Sequence, residues 1–334
     1  MDKEYIIGVD IGGTRIRTAL CSIDLDDKNL RIKITKTPKE NEYSISNAVI
    51  SLIMQLLVDN NIEKEQLKGI GIATAGPINV EKGEIFNNAN LGFKVIPIKK
   101  PLSDRFSGIP IYMMNDCNAS VLGVHFFEAQ PEEKDNLVYI TISTGIGGGV
   151  ICNGRLLLGK DGNAAEIGHG IVEPNSTYQC NCGAYGCWEV FSSGTGVKNR
   201  AIERLEETKL NPKILMFIVD NDISKITAKE IFQAARGGDK FSKSIVDQCI
   251  FYMKVGIGLV NNFYDCSTIY FGGAMMKDSD MILPPLIEQF EKDPLPFTIN
   301  NPPKLKVTKY LEDIGVRGAL VLIKYKLENN PIIP

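Results

Sequence analysis

Apolar and polar residues alternate from residue 5 to Asp10, Gly12 and Gly13 follow, and an apolar run resumes over 16–20. The segment YIIGVDIGGTRIRTAL therefore reads as strand, tight turn, strand. A second extended pair is predicted over 21–36, with Asp26-Asp27-Lys28-Asn29 at its turn. Over 46–60 the apolar positions 49, 50, 53, 56 and 57 share one helical face, and Ser46 stands near the cap. Buried strands are expected at 69–74, ending in Ala75-Gly76-Pro77, and at 109–114, delivering Asn115-Asp116-Cys117-Asn118 to the start of a helix. Residues 137–150, LVYITISTGIGGGV, then repeat the plan of 5–16. Two copies of strand, glycine turn and strand predict two related domains facing each other across a nucleotide. A Rossmann unit is disfavoured, because there the glycine turn opens a helix instead of a strand.

The second half is mostly helical. Residues 191–207 and 212–219 read as helices, and Thr227 with Glu230 forms a capping box for another that ends at Arg236. Gly237-Gly238-Asp239 breaks the pattern before a long helix over 241–262, where Gly256 and Gly258 mark close packing. A strand over 267–271 ends in Gly272-Gly273-Ala274, followed by a proline-rich connection at 293–304, a strand near 305–310 and a helix over 314–325.

Composition narrows the class. The 334 residues suffice for two domains with separate cores, and 44% hydrophobic with 23% charged residues is ordinary globular usage. A net charge of −3, mixed along the chain, offers no footprint for nucleic acid or anionic lipid. No apolar run approaches the roughly 18 residues of a membrane span, and no signal segment opens the chain. A cytoplasmic location is the expectation. Cys21, Cys117, Cys152, Cys249 and Cys266 are scattered among apolar neighbours and read as buried free thiols.

Three kinds of residue carry candidate chemistry. The glycine turns expose successive backbone N–H groups of the kind that hold phosphate, although a plain hairpin has the same sequence and the GxxxxGK[ST] loop is absent. Thr14 and Arg15 add a hydroxyl and a cation there. Strand ends put Gly76 and Asp116 where a ligand meets backbone and carboxylate, and Asn87, Asn88 and Asn90 could bond hydroxyls or merely cap a loop. Capping is the more frequent job of an Asp in the position of Asp116, and His125 reads as a surface or packing residue.

The densest cluster is EIGHGIVEPNSTYQCNCGAYGCWE, residues 166–189. His169, Cys180, Cys182 and Cys187 supply one imidazole and three thiolates, the donor set of a closed, structural zinc site. A disulfide or chance clustering is the alternative. A metal here would fix Glu166 and Glu189 on either side.

Taken together, DIGGTRIR, GIATAGPIN, NDCNA, STGIGGGV, EIGH, CNCGAYGCWE, IYFGGA and DIGVRGAL resemble the ROK family of sugar kinases and sugar-responsive repressors, over nearly the whole chain. The resemblance implies an α/β fold of the two-lobed actin-like ATPase (ribonuclease H-like) type, with a duplicated mixed sheet flanked by helices. Residues 1–117 with 312–334 would form the small lobe, and 118–311 the large lobe carrying the zinc. It further implies an ATP-dependent hexose kinase acting on a 6-hydroxyl, with Asp116 as general base. Gly76, Asn90, Asn115, Glu166, His169 and Glu189 would bind the sugar beside Asp116, with Asn88 the substitute for Asn90. Asp10, Gly12, Gly13, Thr14, Thr144, Gly145 and Gly147 would serve ATP phosphates and magnesium, and Gly272 with Gly273 the adenosine.

Glucose is the first expected substrate, and N-acetylmannosamine or another N-acetylhexosamine the alternative. A sugar-sensing repressor is the remote one, because only four residues precede Tyr5 and the charge is slightly acidic. A homodimer, with no nucleic-acid or membrane partner, completes the expectation.

Overall fold

The computed structural model describes residues 3–88, 91–208, 210–292 and 302–333. The opening alternation forms β1 (Tyr5–Ile11) and β2 (Arg15–Ser22), antiparallel, with Asp10 opposite Arg17. β3 (Arg31–Lys36) continues the meander after the turn predicted at Asp26. Helix α1 (Ser44–Asp59) buries Val49, Ile53, Leu56 and Leu57 as its periodicity requires. Its cap is Tyr43 instead of Ser46, whose buried hydroxyl turns back to Tyr43 O at 3.0 Å. β4 (Leu67–Thr74) pairs parallel with β1.

The chain then makes a small sheet absent from the sequence reading, β5 (Ile78–Asn79), β6 (Glu84–Phe86) and β7 (Val95–Pro97), and the short helix α2 (Lys99–Arg105). β8 (Ile111–Asn115) pairs parallel with β4 and leads directly into α3 (Asp116–Phe127).

The echo follows. β9 (Leu137–Ile142), β10 (Ile146–Cys152) and β11 (Arg155–Leu156) are later joined by β12 (Thr268–Gly272) and β13 (Lys304–Val307). The two large sheets run β3-β2-β1-β4-β8 and β11-β10-β9-β12-β13, so each has the order third, second, first, fourth, fifth. The repeated topology gives the internal duplication a structural form.

Between β11 and β12 lie α4 (Glu189–Ser192), α5 (Gly194–Thr208), α6 (Lys213–Ile218), α7 (Ala228–Arg236) and α8 (Lys240–Tyr264). The helix predicted over 191–207 is broken at Ser193, whose extended backbone ends α4. α8 lies against Trp188 so closely that a Cβ on Gly256 would come within 2.2 Å of the indole. α9 (Ser279–Lys292) and α10 (Ile314–Leu327) complete the helices, while residues 293–301 of the proline-rich stretch lie outside the described residues.

Compactness divides the chain into one unit of Met1–Tyr139, Gly149–Ala165 and Asp313–Pro334, and another of Ile140–Gly148 and Glu166–Glu312. The first extends beyond the boundary expected at 117. The cause is packing: α10 lies on α3, β1 and β4, and a Cβ on Gly318 would stand 1.7 Å from Ala119 O. No helix among the described residues is long and apolar enough to cross a membrane. Cys21, Cys117, Cys249 and Cys266 are buried thiols as expected, whereas Cys152 is only half-buried, at the end of β10.

Candidate active site

In the first unit, β1 and β8 run parallel to β4 on its two sides, with Asp10 next to the last residue of β1 and Asp116 directly after β8. Asn115 caps α3, its Oδ1 accepting from Cys117 N at 2.8 Å and Asn118 N at 3.3 Å. Asp116 is thus freed from the capping that its position allowed, although one of its oxygens accepts from Cys117 N at 2.9 Å. Burial holds the Asp116 carboxyl above the ordinary range, against the opposing pull of that N–H group. Asp10 is pushed up to about 7, first by burial and then by the negative charge of Asp116. The Arg17 guanidinium opposes this, with Nη1 3.8 Å from Asp10 and Nε 3.4 Å from Asp313. A side chain at Gly315 would meet the Asp10 carboxylate at 3.2–3.4 Å. Asp10 and Asp313 share that one guanidinium, and a carboxyl so placed suits a further divalent cation.

The first glycine turn is pinned by Thr37, just after β3, whose Oγ1 donates to Gly12 O at 2.6 Å and whose N donates to Thr14 O at 3.0 Å. Thr14 and Arg15 are exposed beside it. Gly76 follows β4, and Asn88 secures its turn by donating to Ala75 O at 3.3 Å and Gly76 O at 2.7 Å. Asn88 is therefore used by the protein's own backbone. Asn90 lies outside the described residues.

In the second unit the four candidate metal ligands come together. The ligand atoms of His169, Cys180, Cys182 and Cys187 all lie within 4.8 Å of one another. Cys182 and Cys187 Sγ are 3.7 Å apart, and Cys180 Sγ is 3.5 Å from His169 Nδ1. Zinc bonds of ~2.3 Å to sulfur and ~2.0 Å to nitrogen imply tetrahedral edges near ~3.8 and ~3.6 Å, so the residues fit the ion. Burial pushes the Cys187 thiol up to about 11 and raises Cys180 as well, a cost that a cation reverses by holding thiolates. Gly183 and Gly186 adopt φ of 93° and 74°, left-handed turns that carry the chain between Cys182 and Cys187. With Nδ1 turned to the thiols, His169 has Nε2 for another partner, and its side chain is 38% exposed.

Glu189 connects this loop to the second glycine turn. Its Oε1 accepts from Cys180 Sγ at 2.9 Å and its Oε2 from Ile146 N at 3.4 Å. A Cβ on Gly145 would stand 2.7 Å from the same Oε2, so the turn needs its glycine. Glu166 is exposed and follows Ala165, a non-glycine residue at φ 63°. The turn is tied to the start of α5 by Gly194 N to Ser143 O at 2.7 Å and Thr195 N to Thr144 O at 3.3 Å.

Beside it lies a cavity of about 680 Å³, lined by Ser143, Thr144, Thr195, Lys198, Phe232, Gln233, Ala274 and Met275 among others. Thr144 is in its wall, while Gly145 and Gly147 belong to the turn itself. Gly272 and Gly273 do not form the wall. Gly273 is instead at φ 90°, where a Cβ would strike Ile142 O at 2.4 Å, and the next residues, Ala274 and Met275, take the lining position.

Arg17, Asp313, Gly315 and Lys198 had no role in the expectations from sequence. The hairpin register could have yielded Arg17, since it faces Asp10 across the strands. Asp313 and Gly315 open the DIGVRGAL motif, but nothing in it tells that they reach Arg17 and Asp10 from the far end of the chain. Of the surface and packing readings of His125, packing is the one found, with Nδ1 2.9 Å from Tyr325 Oη and the imidazole held down at about 4 by burial.

Fold and residues together define an actin-like ATPase architecture, α/β, built on a repeated mixed sheet. A sequence profile of the ROK family matches residues 6–326, and the chain belongs to that family. It is 31% identical over 326 residues to a glucokinase of Halalkalibacterium halodurans, covering 97% of this chain and 96% of the relative. An N-acetylmannosamine kinase of Salmonella heidelberg is 28% identical, with 95% and 97% covered. The crystal structure of a ROK family glucokinase from Streptomyces griseus, in complex with glucose and AMPPNP, superposes with a TM-score of 0.79 at 27% identity, covering 95% of this chain and 98% of that one.

Proposed function

We propose that the chain is an ATP-dependent kinase that phosphorylates the 6-hydroxyl of a hexose, with glucose as the preferred acceptor. The observation that carries this reading is Asp116: a half-buried carboxylate at a strand end, held above the ordinary carboxylate range, in a chain whose relatives are named as sugar kinases. A base of that kind is better matched to an alcohol proton near neutral pH than a solvated aspartate is. In the reaction the sugar O6 bonds to the γ-phosphorus while its proton passes to Asp116. The bond to the β-phosphate oxygen breaks, ADP leaves, and Asp116 returns the proton to solvent.

The remaining residues divide the supporting work. Gly12, Gly13 and Thr14, and Thr144, Gly145 and Gly147 in the second turn, offer N–H groups and hydroxyls to the phosphates. The apolar walls at Phe232, Ala274 and Met275 suit the adenosine. Magnesium, when bound with ATP, neutralises phosphate charge, and Asp10 is the residue to hold its waters. Asn115, Gly76, Glu166, His169 and Glu189 bond sugar hydroxyls. Cys180, Cys182, Cys187 and His169 Nδ1 would hold a zinc ion, which would fix the imidazole and leave its Nε2 to the sugar. N-acetylmannosamine is the second acceptor to consider, since a relative of similar coverage carries that name.

Product analysis tests the site of transfer. Phosphorus NMR of a reaction with glucose is expected to give glucose 6-phosphate, and 6-deoxyglucose to give no product. Phosphorylation of 6-deoxyglucose at the same rate would sink the proposal.

A further inference from the structure

Beside Gly76 the first unit contains two amide groups that the protein itself leaves incomplete. Asn115 is 8% exposed, and capping α3 occupies its Oδ1, which leaves Nδ2 as a donor. Asn163 has the complementary deficit. Its Nδ2 donates to Asp161 O at 3.1 Å, while its Oδ1 is buried with no partner among the described residues. The bond to a carbonyl fixes which end of the amide is nitrogen.

A Cβ on Gly76 would lie 3.5 Å from Asn163 Oδ1 and 3.7 Å from Asn115 Nδ2, so acceptor and donor face one small space over a residue with no side chain. The loop is held in place for this. Asn118 Nδ2 donates to Gly162 O at 3.4 Å, Ala164 N to Leu158 O at 3.1 Å, and Gly159 and Gly162 take φ of 69° and 79°. A buried acceptor left unpaired is costly, and such a group persists where a ligand or an ordered water completes it.

We propose that Asn163 is a further substrate-binding residue, whose Oδ1 accepts a hydrogen bond from a sugar hydroxyl that in turn accepts from Asn115 Nδ2 above Gly76. An alcohol is the group that fits, because one O–H can donate to the first amide and accept from the second. The inference rests on the sugar-kinase reading and adds to it a residue from the loop before the metal cluster. It also gives Gly76 a physical task, which is to leave room for that hydroxyl.

The test measures kcat and KM for glucose and for its 1-, 2-, 3- and 4-deoxy analogues, with calorimetric sugar binding in the absence of ATP. Wild type, N163A and G76A are compared. In N163A the glucose KM is expected to rise about 10–100-fold with the KM for ATP unchanged. The deoxy analogue lacking the contacted hydroxyl is expected to be equally poor for wild type and N163A, while the other analogues lose as much as glucose does.

An equal loss on glucose and on every analogue, or no loss, overturns the assignment and leaves the acceptor to water. G76A guards against a misfolded loop, since its methyl meets neighbours only at ordinary contact distances. It is expected to melt like the wild type and bind glucose at least 10-fold more weakly, and wild-type binding by folded G76A would equally overturn the proposal. A wild-type protein that phosphorylates no sugar overturns the kinase reading itself, a result distinct from either.

Discussion

At the scale of single residues, burial holds two carboxyls, Asp116 and Asp10, above the ordinary range. Asp116 is expected to be needed for chemistry more than for binding. Asp116→Asn should lower kcat about 10²–10⁴-fold while calorimetry finds glucose affinity within a few-fold of the wild type. Asp10 offers a test in stability. Its carboxyl sits at about 7 in the fold against 3.8 in an unfolded chain, so the fold favours the proton. The stability is intact below about pH 4 and declines as pH rises toward 7. Without magnesium, Asp10→Asn is therefore expected to be more stable than wild type above pH 7, by on the order of 2–4 kcal/mol, and equal to it near pH 4. Melting curves at the two pH values check this, and an advantage that grows on acidification would contradict it. Asp116 was legible because a strand end followed by a helix start exposes whatever stands there. Asn163 was not legible, because an amide in a loop acquires meaning only when its partners are known.

Among the elements, the loop between His169 and Glu189 has the clearest chemistry. Its candidate donors were readable from spacing alone, since metal ligation constrains residue type and separation more than packing does. What spacing did not reveal is that Glu189 reaches both Cys180 and the Ile146 amide, joining the metal loop to a glycine turn. Cys182→Ser is expected to lose most of the bound zinc, lower the melting temperature and raise the sugar KM. Metal analysis with full retention of zinc in that variant would count against the tetrahedral assignment. Long periodic helices were also legible, α8 and α10 falling within two residues of the predicted spans at all four ends. The three-stranded sheet β5-β6-β7 escaped because strands of two or three residues carry no periodicity.

For the whole molecule, the repeated glycine turn in the sequence proved to be the trace of a repeated sheet topology. Domain boundaries were less readable, because they depend on which helices pack together. The C-terminal helix α10 returns to β1, β4 and α3, so the first unit is closed only when the last segment is present. Gly318→Val, placed against Ala119 O, is expected to cost about 3 kcal/mol or more, and denaturant titration measures the loss. The most direct test of the central claim is ADP release followed with glucose, mannose, fructose, N-acetylglucosamine and N-acetylmannosamine, for the wild type and Asp116→Asn side by side. The expected result is release by the wild type that depends on a hexose, greatest with glucose, and nearly none by the variant. Release that ignores the sugar, or that is the same in both proteins, would contradict the account.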